Sequence, residues 1–244
     1  MKVIGIIPAR YASSRFLGKP LVVIRGKSMI QRVYEQARLS KLDEVWVATD
    51  DARIYDEIKK CGGNVIMTEE DIPNGSARCR AAFKEIGKGA EAFINIQGDE
   101  PFIHPDSINT LISLLRNGNV SIATLIQEEK DEDDIVDPNR VKVVIDKAGK
   151  ALLFSRSVIP FPRTKPEGLK RYVHLGIYGF KAEILDQLEQ LKTSPEEESE
   201  QLEQLTWLVN GYDIHTAISP FPSFSIDTQS DLDYVESNWD NIAI

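Results

Sequence analysis

The sequence predicts an α/β fold in which a mostly parallel sheet is flanked by helices and carries a small antiparallel extension. The first half alternates apolar strand-like runs with runs of helical periodicity, an order that predicts parallel strands joined by helical crossovers. The first of these runs, KVIGIIP, is continuously apolar, as in a parallel strand that is buried on both faces. In the second half, two strand-like runs are joined by a short turn at Gly149, which predicts antiparallel pairing.

The elements of the first half follow from apolar runs and helix caps. The predicted strands are KVIGIIP, EVWVATD, NVIMT and AFINIQGDEP. Four helices are predicted between and after them: one capped by Ser28, one capped by Asp51 and ended by Gly62 and Gly63, one from about Ser76 to Ile86, and one opened by Pro105 and Asp106.

The second half is predicted to be mixed. VKVVIDKAGKALLFSR predicts the antiparallel pair, and VHLGIYGF and DIHTAIS predict two further strands. Ser194 is predicted to cap a helix that runs to Gly211, and a closing helix is expected from Asp231 to Trp239. We therefore expect one domain over residues 1–244, with an antiparallel extension at about 151–180.

Composition excludes several classes of protein. A formal net charge of −9 argues against a nucleic-acid-binding or membrane-surface protein, because both need an extended basic face. No apolar run approaches the roughly 20 residues of a membrane helix, and the N-terminus lacks the pattern of a signal peptide. Cys61 and Cys79 are too few to predict a disulfide framework or a zinc site. The expected location is cytoplasmic.

Two polar segments follow strands whose carboxyl ends form the ligand-binding edge of an open α/β sheet. The first, Pro8 to Pro20, carries Arg10, Arg15 and Lys19 but matches neither a Walker A loop nor a G-x-G-x-x-G motif. Three cations on a short loop suit a triphosphate. A solvated loop whose arginines pair with acidic residues is an equally good interpretation on charge alone.

The second polar segment adds carboxylates. Asp99 at a strand end facing a cationic loop is typical of a nucleotide site that holds Mg²⁺. Asp227 in SIDTQSD is a candidate second ligand, although an Asp or Thr before a helix is commonly a cap. His174, Glu203 and Gln204 are further polar candidates, with ordinary structural or solvent-side roles as the alternative. Composition and spacing predict a nucleotide-phosphate and metal site, and no particular reaction.

A series of motifs resembles one family along the whole chain. IPARYASSRFLGKPL, VATDD, NIQGDEPFI, DPNRVKVV, LLFSRSVIPF, HLGIYGF, LEQLTWL and IDTQSDL occur in the order found in the 3-deoxy-manno-octulosonate (Kdo) cytidylyltransferases, also called CMP-Kdo synthetases. The opening motif alone indicates the wider nucleotidyltransferase superfamily. ALLFSRSVIPF followed by HLGIYGF and LEQL is more specific and separates this family from sialic-acid-activating relatives.

The resemblance implies a Rossmann-like nucleotidyltransferase fold and a reaction in which CTP and Kdo give CMP-Kdo and pyrophosphate for lipopolysaccharide biosynthesis. It implies Mg²⁺ on Asp99 and Asp227, and a homodimer with contacts near the antiparallel extension. Arg10, Arg15 and Lys19 would hold the triphosphate. The nucleotide site would further include Pro8, Ala9, Asn74, Gly75, Arg78 and Gln97. The sugar-acid site would comprise Gln97, Arg156, His174, Tyr178, Glu203 and Gln204, with Arg156 as the partner of the substrate carboxylate.

Three departures from the family pattern leave alternatives open. Leu17 stands where the family usually has proline, Ala77 where it has an acidic residue, and Gln229 where the last motif has proline. The missing acid matters most, because a carboxylate beside Arg78 would orient it. A cytidylyltransferase for a related sugar acid such as 8-amino-Kdo and an inactive nucleotide-binding protein therefore remain alternatives. A glycosyltransferase is disfavoured, since no Asp-x-Asp pair follows the fourth strand.

Overall fold

The structure is a computed structural model that describes residues 1–12, 16–129, 135–164 and 166–242. Residue contacts divide the chain into two compact units. Unit 1 comprises Met1–Ile112 and Ser223–Ile244, and unit 2 comprises Ser113–Pro222. The expectation of a single domain over 1–244 stays a prediction.

Strands β1 to β11 follow in chain order. They are Val3–Ala9, Val23–Ile24, Lys27–Ser28, Glu44–Thr49, Asn64–Met67, Ala92–Asn95, Ile122–Glu129, Lys142–Ile145, Ala151–Ser155, Arg171–Lys181 and Ile214–Ile218. Helices α1 to α9 are Met29–Arg38, Ala52–Lys60, Gly75–Ile86, Pro105–Leu115, Leu185–Glu189, Pro195–Glu200, Glu203–Val209, Gln229–Ser237 and Trp239–Ile242. Short 3₁₀ helices cover Lys19–Leu21 and Ala182–Ile184.

Unit 1 contains a parallel sheet of the predicted strands. β1 pairs with β4 on one side and with β6 on the other, and β4 pairs with β5, all in parallel. β1 is buried along nearly its whole length and β6 along all of it, which explains why the runs are apolar without alternation. Because β1 and β6 are neighbours, the polar segments that follow them start side by side. The α/β fold class is confirmed.

Two helix caps of unit 1, Ser28 and Asp51, were predicted from the sequence, and the cap of α3 was not. The Ser28 side chain accepts a hydrogen bond from the backbone N–H of Gln31, and Asp51 accepts one from Arg53. Asn74 caps α3 in the same way, through the N–H of Ala77 at 2.8 Å. Each cap satisfies a backbone donor that lacks a partner inside its helix, so these side chains set where the helices begin.

The C-terminal segment belongs to unit 1. Ile226 and Val235 are fully buried and pack in one hydrophobic cluster with Ile24 and Met29. The backbone N–H of Ile226 also donates to the carbonyl of Asp99 at 3.0 Å. Burial of this apolar cluster, together with that hydrogen bond, therefore fixes the segment around Ile226 beside the residues that follow β6.

Unit 2 contains the antiparallel pairings. β10 pairs antiparallel with β7 and with β8, β8 pairs antiparallel with β9, and β11 runs parallel to β7. The predicted turn between β8 and β9 is present. The Asp146 carboxylate accepts from the N–H groups of Ala148 and Lys150, both at 2.8 Å, and Gly149 has a φ of 80° that suits glycine.

The long helix predicted from Ser194 to Gly211 is wrong, because the structure divides it. α6 starts at the predicted Ser194 cap but ends at Glu200. Gln201 then adopts a left-handed conformation (φ 52°, ψ 49°), and extended Leu202 starts α7. α6 reads PEEESE and buries no side chain, so there is no apolar periodicity before the break whose interruption the sequence could reveal.

Several further elements of the described chain were not predicted from the sequence. β7 was not predicted although it is buried through most of its length, and the 3₁₀ turn at Lys19–Leu21, the β2–β3 hairpin and α5 were likewise missed. Within the described ranges, no helix is long and apolar enough to cross a membrane.

Candidate functional site

A cavity of about 400 Å³ lies at the carboxyl ends of β1 and β6 in unit 1. Its walls include eight residues predicted for the nucleotide site: Pro8, Ala9, Arg10, Lys19, Asn74, Gly75, Arg78 and Gln97. Ala12, Pro20, Gly98 and Asp99 complete the lining. Arg15, the remaining residue of the predicted set, lies outside the described residues. The cavity therefore brings together predicted residues from three separate stretches of sequence.

Gly98 allows the two strand ends to approach closely at this cavity. A Cβ atom at position 98 would lie 2.7 Å from the carbonyl oxygen of Pro8, which is closer than such atoms come. Any larger residue would displace either the end of β1 or the segment that carries Asp99. Glycine at this position keeps the cavity wall formed by both segments in place.

Lys19 joins the two carboxylates that were predicted to bind metal. Its Nζ lies 2.8 Å from Oδ2 of Asp99 and 3.0 Å from Oδ1 of Asp227, 208 positions later in the chain. The Lys19 side chain is 13% exposed. Burial alone would lower its pKa, but the charges and hydrogen bonds of Asp99 and Asp227 outweigh burial and raise the pKa. Both carboxylates therefore converge on one position that already holds a positive charge.

Asp227 does not act as the helix cap, which was the alternative interpretation of SIDTQSD. Thr228 is the cap of α8, and its side chain accepts from the N–H of Asp231 in a capping box. The Asp231 carboxylate accepts from the N–H of Asp227 at 2.9 Å. The capping box thus fixes the Asp227 backbone while its side chain turns to Lys19.

Glu100, next to Asp99, is buried and is the most perturbed carboxyl group of unit 1. Burial, followed by the charge of Asp99, raises the pKa of Glu100 to about 7, while a hydrogen bond from Ser223 opposes the shift. A carboxyl of this kind adds less negative charge beside Asp99 than an ordinary glutamate would at neutral pH.

Arg78 is fully buried and is oriented by a carboxylate that sequence analysis did not identify. Its Nη2 donates to Oδ2 of Asp50 at 2.6 Å, and its Nη1 donates to the hydroxyl of Thr68 and the carbonyl of Glu69. The family's acidic residue at position 77 is absent, but Asp50 supplies a charge partner from the end of β4. Replacement by Ala77 therefore leaves Arg78 ion-paired.

We predict that Asp50→Ala lowers the free energy of unfolding by about 3 kcal/mol, because it leaves the buried Arg78 guanidinium without its anion. Chemical denaturation at neutral pH measures this loss. Asp56→Ala on the exposed side of α2 is the control and should change stability by less than about 0.5 kcal/mol. Equal midpoints for the two variants would contradict the assigned role of Asp50.

Arg10 lines the same cavity and is anchored at its edge. One of its Nη2 hydrogens is donated to the carbonyl of Ile72, ahead of α3. The neighbouring loop is closed by hydrogen bonds from the N–H of Gly18 to the Tyr11 carbonyl at 2.9 Å and from Lys19 to Phe16 at 3.1 Å. Leu17, at the position where the family has proline, has a side chain that is 68% exposed.

His174 and Tyr178, two of the predicted sugar-acid residues of unit 2, belong to an aromatic cluster. The His174 ring lies 5.1 Å from the rings of both Phe154 and Tyr178, and Trp207 meets Tyr178 edge-on at 5.1 Å. The Tyr178 hydroxyl is buried and has no hydrogen-bond partner within the described residues. Burial, then the charge of Glu203, raises its pKa well above the usual range, so the hydroxyl keeps its proton.

Glu203 and Gln204 begin α7, directly after the break at Gln201 and Leu202. Gln204 is buried, so the interpretation of both residues as solvent-side is wrong for Gln204. Because of the break, these two residues lie in the first turn of α7 and not in the middle of one long helix.

The Arg156 guanidinium donates hydrogen bonds to three main-chain carbonyl groups. Its Nε donates to the carbonyl of Glu200 at 2.6 Å, Nη1 to Pro138 at 3.0 Å and Nη2 to Gln201 at 3.5 Å. The Glu200 carboxylate in turn accepts from the Ser155 hydroxyl at 2.6 Å and the N–H of Arg156 at 2.5 Å. This network ties the end of β9 to the α6–α7 break, a structural role that the sequence did not reveal.

The environment of the partly buried His174 predicts a pH-dependent stability. Burial lowers the pKa of His174 to about 3, whereas an unfolded histidine has a value near 6.5. Between these values the unfolded chain binds the extra proton, so the free energy of unfolding should fall as the pH decreases from about 6.5 toward 3. Denaturant unfolding of wild type and His174→Gln over this range is the measurement. The variant should show a smaller slope, and an identical slope would contradict the assignment.

Comparisons with known proteins agree with the family resemblance of the sequence motifs. A cytidylyltransferase family model matches residues 4–214. The 3-deoxy-manno-octulosonate cytidylyltransferase of Parabacteroides distasonis is 47% identical over 242 residues, covering 96% of both chains. That of Thermodesulfovibrio yellowstonii is 46% identical and covers 97% of both, and the mitochondrial protein of Arabidopsis thaliana is 42% identical and covers 97% of this chain and 82% of its own.

Solved structures agree at the level of the fold. A CMP:2-keto-3-deoxy-manno-octonic acid synthetase complexed with CTP superposes with a TM-score of 0.92 at 38% identity, covering 98% of this chain and 99% of the other. A putative glucose-1-phosphate thymidylyltransferase from Bacillus anthracis gives a TM-score of 0.68 at 16% identity over 99% and 97% of the chains, which indicates a shared nucleotidyltransferase fold only. The curated relatives are 46–47% identical to this chain over nearly its whole length, and the family model matches most of it. The chain therefore belongs to the 3-deoxy-manno-octulosonate cytidylyltransferase family.

Proposed function

We propose that this protein transfers CMP from CTP to the anomeric hydroxyl of Kdo and releases pyrophosphate. The observation that carries the proposal is the cavity at the ends of β1 and β6, where Lys19 meets Asp99 and Asp227 beside the predicted nucleotide residues. Its chemistry suits a nucleoside triphosphate with a divalent cation, and family membership supplies the substrates. Kdo is favoured over 8-amino-Kdo because the curated relatives carry that activity in their names.

The cations of the first loop are proposed to hold the triphosphate. Arg10 and Lys19 both line the cavity, and Arg15 belongs to the same loop. Arginine can contact phosphate oxygens with two N–H groups at once, whereas lysine provides a compact charge. Lys19 is suited to offset the charge that develops on pyrophosphate as it leaves.

Asp99 and Asp227 are proposed to hold Mg²⁺. Their carboxylate oxygens already converge on a single cationic atom, Nζ of Lys19, so the donor set fits a hard cation with oxygen ligands. The remaining ligands would be oxygens of the substrate phosphates and of water. When bound, the ion would neutralise phosphate charge and favour the ionised form of the attacking hydroxyl.

The proposed reaction is a direct displacement at the α-phosphorus. A bond forms between the anomeric oxygen of the sugar acid and the α-phosphorus, the bond to the bridging oxygen of pyrophosphate breaks, and the hydroxyl proton passes to solvent. The protein's contribution is to hold the two substrates in line and to stabilise the charge that moves to the leaving group.

Within unit 2, the sugar acid is proposed to contact polar groups of His174, Tyr178, Glu203 and Gln204, and a contact with Gln97 stays a prediction of the family resemblance. The buried Tyr178 hydroxyl, which makes no hydrogen bond within the described ranges, is suited to meet a substrate hydroxyl. Arg156 remains a candidate for the carboxylate, since backbone carbonyls use three of the five N–H groups that a guanidinium has.

Assembly, location and pathway follow as further proposals. Leu152, Leu153 and Phe161 are exposed apolar side chains, the last at 82%, in the segment proposed for a homodimer contact. Sedimentation velocity should give a dimer that Phe161→Asp weakens; a monomer at all concentrations would contradict the proposed homodimer.

We place the enzyme in the cytoplasm, where it would activate Kdo for lipopolysaccharide biosynthesis.

Pyrophosphate release tests the proposed function. Purified protein is incubated with CTP, Mg²⁺ and, in turn, Kdo, 8-amino-Kdo and N-acetylneuraminate, and pyrophosphate is measured by a coupled assay. Kdo should give the highest kcat/KM. Preference for 8-amino-Kdo would replace the sugar assignment, and no release with any acid from folded protein would favour an inactive nucleotide-binding protein.

A further inference from the structure

Thr124 in β7 lies behind the proposed sugar-acid site and is fully buried. Its hydroxyl oxygen lies 2.9 Å from Nε2 of His174, 2.7 Å from the carbonyl oxygen of Ile177 and 3.3 Å from that of Leu175. The register of β10 shifts between Leu175 and Tyr178, so these carbonyls belong to an irregular part of the ladder. The hydroxyl therefore meets three polar atoms at once.

The hydroxyl has a single hydrogen, and the two carbonyls determine where it goes. An oxygen that lies 2.7 Å from a carbonyl oxygen must donate to it, because two acceptors without a hydrogen between them repel each other. With its hydrogen on a carbonyl, Thr124 can offer only a lone pair to His174. Nε2 of His174 must then carry a hydrogen and donate it.

This arrangement fixes the state of the other ring nitrogen. A neutral imidazole has one N–H, so Nδ1 is an acceptor when Nε2 is protonated. Nδ1 makes no hydrogen bond to the parts of the chain that the structure describes. The lowered pKa of His174 is consistent with a neutral ring.

We propose that Thr124 is a positioning residue that fixes the Nε2–H tautomer of His174 and thereby makes Nδ1 an acceptor for a hydroxyl of the sugar acid. The part that concerns the sugar rests on the proposed function; the part that concerns the tautomer does not. The Tyr178 ring lies 5.1 Å from the His174 ring, centroid to centroid. The site would therefore offer Nδ1 of His174 as a fixed acceptor and the Tyr178 hydroxyl as a donor. Such a pair suits a polyhydroxylated substrate.

The tautomer can be measured directly by long-range ¹H–¹⁵N NMR on the full chain. The protein has three histidines, so His104→Gln and His215→Gln assign the His174 signals. Wild type should show Nε2–H. In Thr124→Val, which keeps the shape, a buried Nε2–H would lack an acceptor, and the proton should move partly or wholly to Nδ1. Thr124→Ser should restore the wild-type pattern.

Thr216→Val is the matched control. Thr216 is the β11 residue paired with Thr124, and its hydroxyl donates to the carbonyl of Gly149 at 2.8 Å. It should leave the His174 spectrum unchanged. In steady-state assays, Thr124→Val should raise KM for Kdo about tenfold, as expected for one lost hydrogen bond, with KM for CTP unchanged.

Three results would overturn the proposal: an Nδ1–H tautomer in wild type, a Thr124→Val spectrum identical to wild type, or equal increases in both KM values. The wild-type spectrum decides the first even if Thr124→Val does not fold. Absence of cytidylyltransferase activity in wild type would instead overturn the proposed function and the role toward the sugar, while the spectra would still decide the tautomer.

Discussion

Asp99→Asn should lower kcat by at least about 100-fold while leaving the fold intact. The Asp99 side chain is 26% exposed and lies 2.8 Å from Nζ of Lys19, so its charge serves the cavity and not the hydrophobic core. Asparagine keeps the size but loses the negative charge that a divalent cation requires. Pyrophosphate release at saturating CTP and Kdo measures kcat, and circular dichroism checks the fold.

Asp106→Asn is the control for Asp99→Asn. Asp106 lies in the first turn of α4, and its side chain is 65% exposed. This variant should keep wild-type kcat. A folded Asp99→Asn variant with kcat within threefold of wild type would contradict the metal-binding role of Asp99.

Lys19→Met should lower turnover but raise the affinity of the nucleotide-free protein for Mg²⁺. Turnover should fall by about 100-fold or more, because the charge that stabilises the leaving pyrophosphate is lost. In the absence of CTP, however, Mg²⁺ should bind about tenfold more tightly, because Asp99 and Asp227 no longer share the ammonium charge that competes with the ion. Calorimetric titration of Mg²⁺ into protein without nucleotide measures the second effect.

Lys27→Met serves as the control for Lys19→Met. Lys27 pairs with Glu35 on the exposed surface and should change neither turnover nor Mg²⁺ affinity. If Lys19→Met bound Mg²⁺ no more tightly than Lys27→Met, Lys19 would not be the cation that occupies the proposed metal position.

Much of unit 1 was predictable from local sequence. Continuous apolar runs predicted β1, β4, β5 and β6, and the caps at Ser28 and Asp51 predicted where α1 and α2 begin. These signals are local, because burial and capping act within a few residues. The break at Gln201 could not be predicted in this way, since it depends on the network of Ser155, Arg156 and Glu200, which are distant in sequence.

The residues of the candidate site were likewise predictable only in part from local sequence. Residue type and strand ends predicted the segments around Arg10 and Asp99. Asp227 was a candidate second ligand with a helix cap as the alternative, and the family resemblance then favoured the ligand. Asp50 was not singled out although it stands in the VATDD motif, and Thr124 belongs to none of the motifs. Their roles arise from a contact with a single buried partner, Arg78 and His174 respectively, and only the folded chain reveals such contacts.

The most direct test of the central claim follows the atoms of the proposed reaction. Kdo labelled with ¹³C at its anomeric carbon is incubated with CTP, Mg²⁺ and the wild-type protein, and the products are examined by ¹³C and ³¹P NMR. We predict a phosphodiester whose phosphorus couples to the labelled carbon, together with an equal amount of pyrophosphate. Intact CTP, or CMP without coupling to the sugar carbon, would contradict the assignment of this protein as an active Kdo cytidylyltransferase.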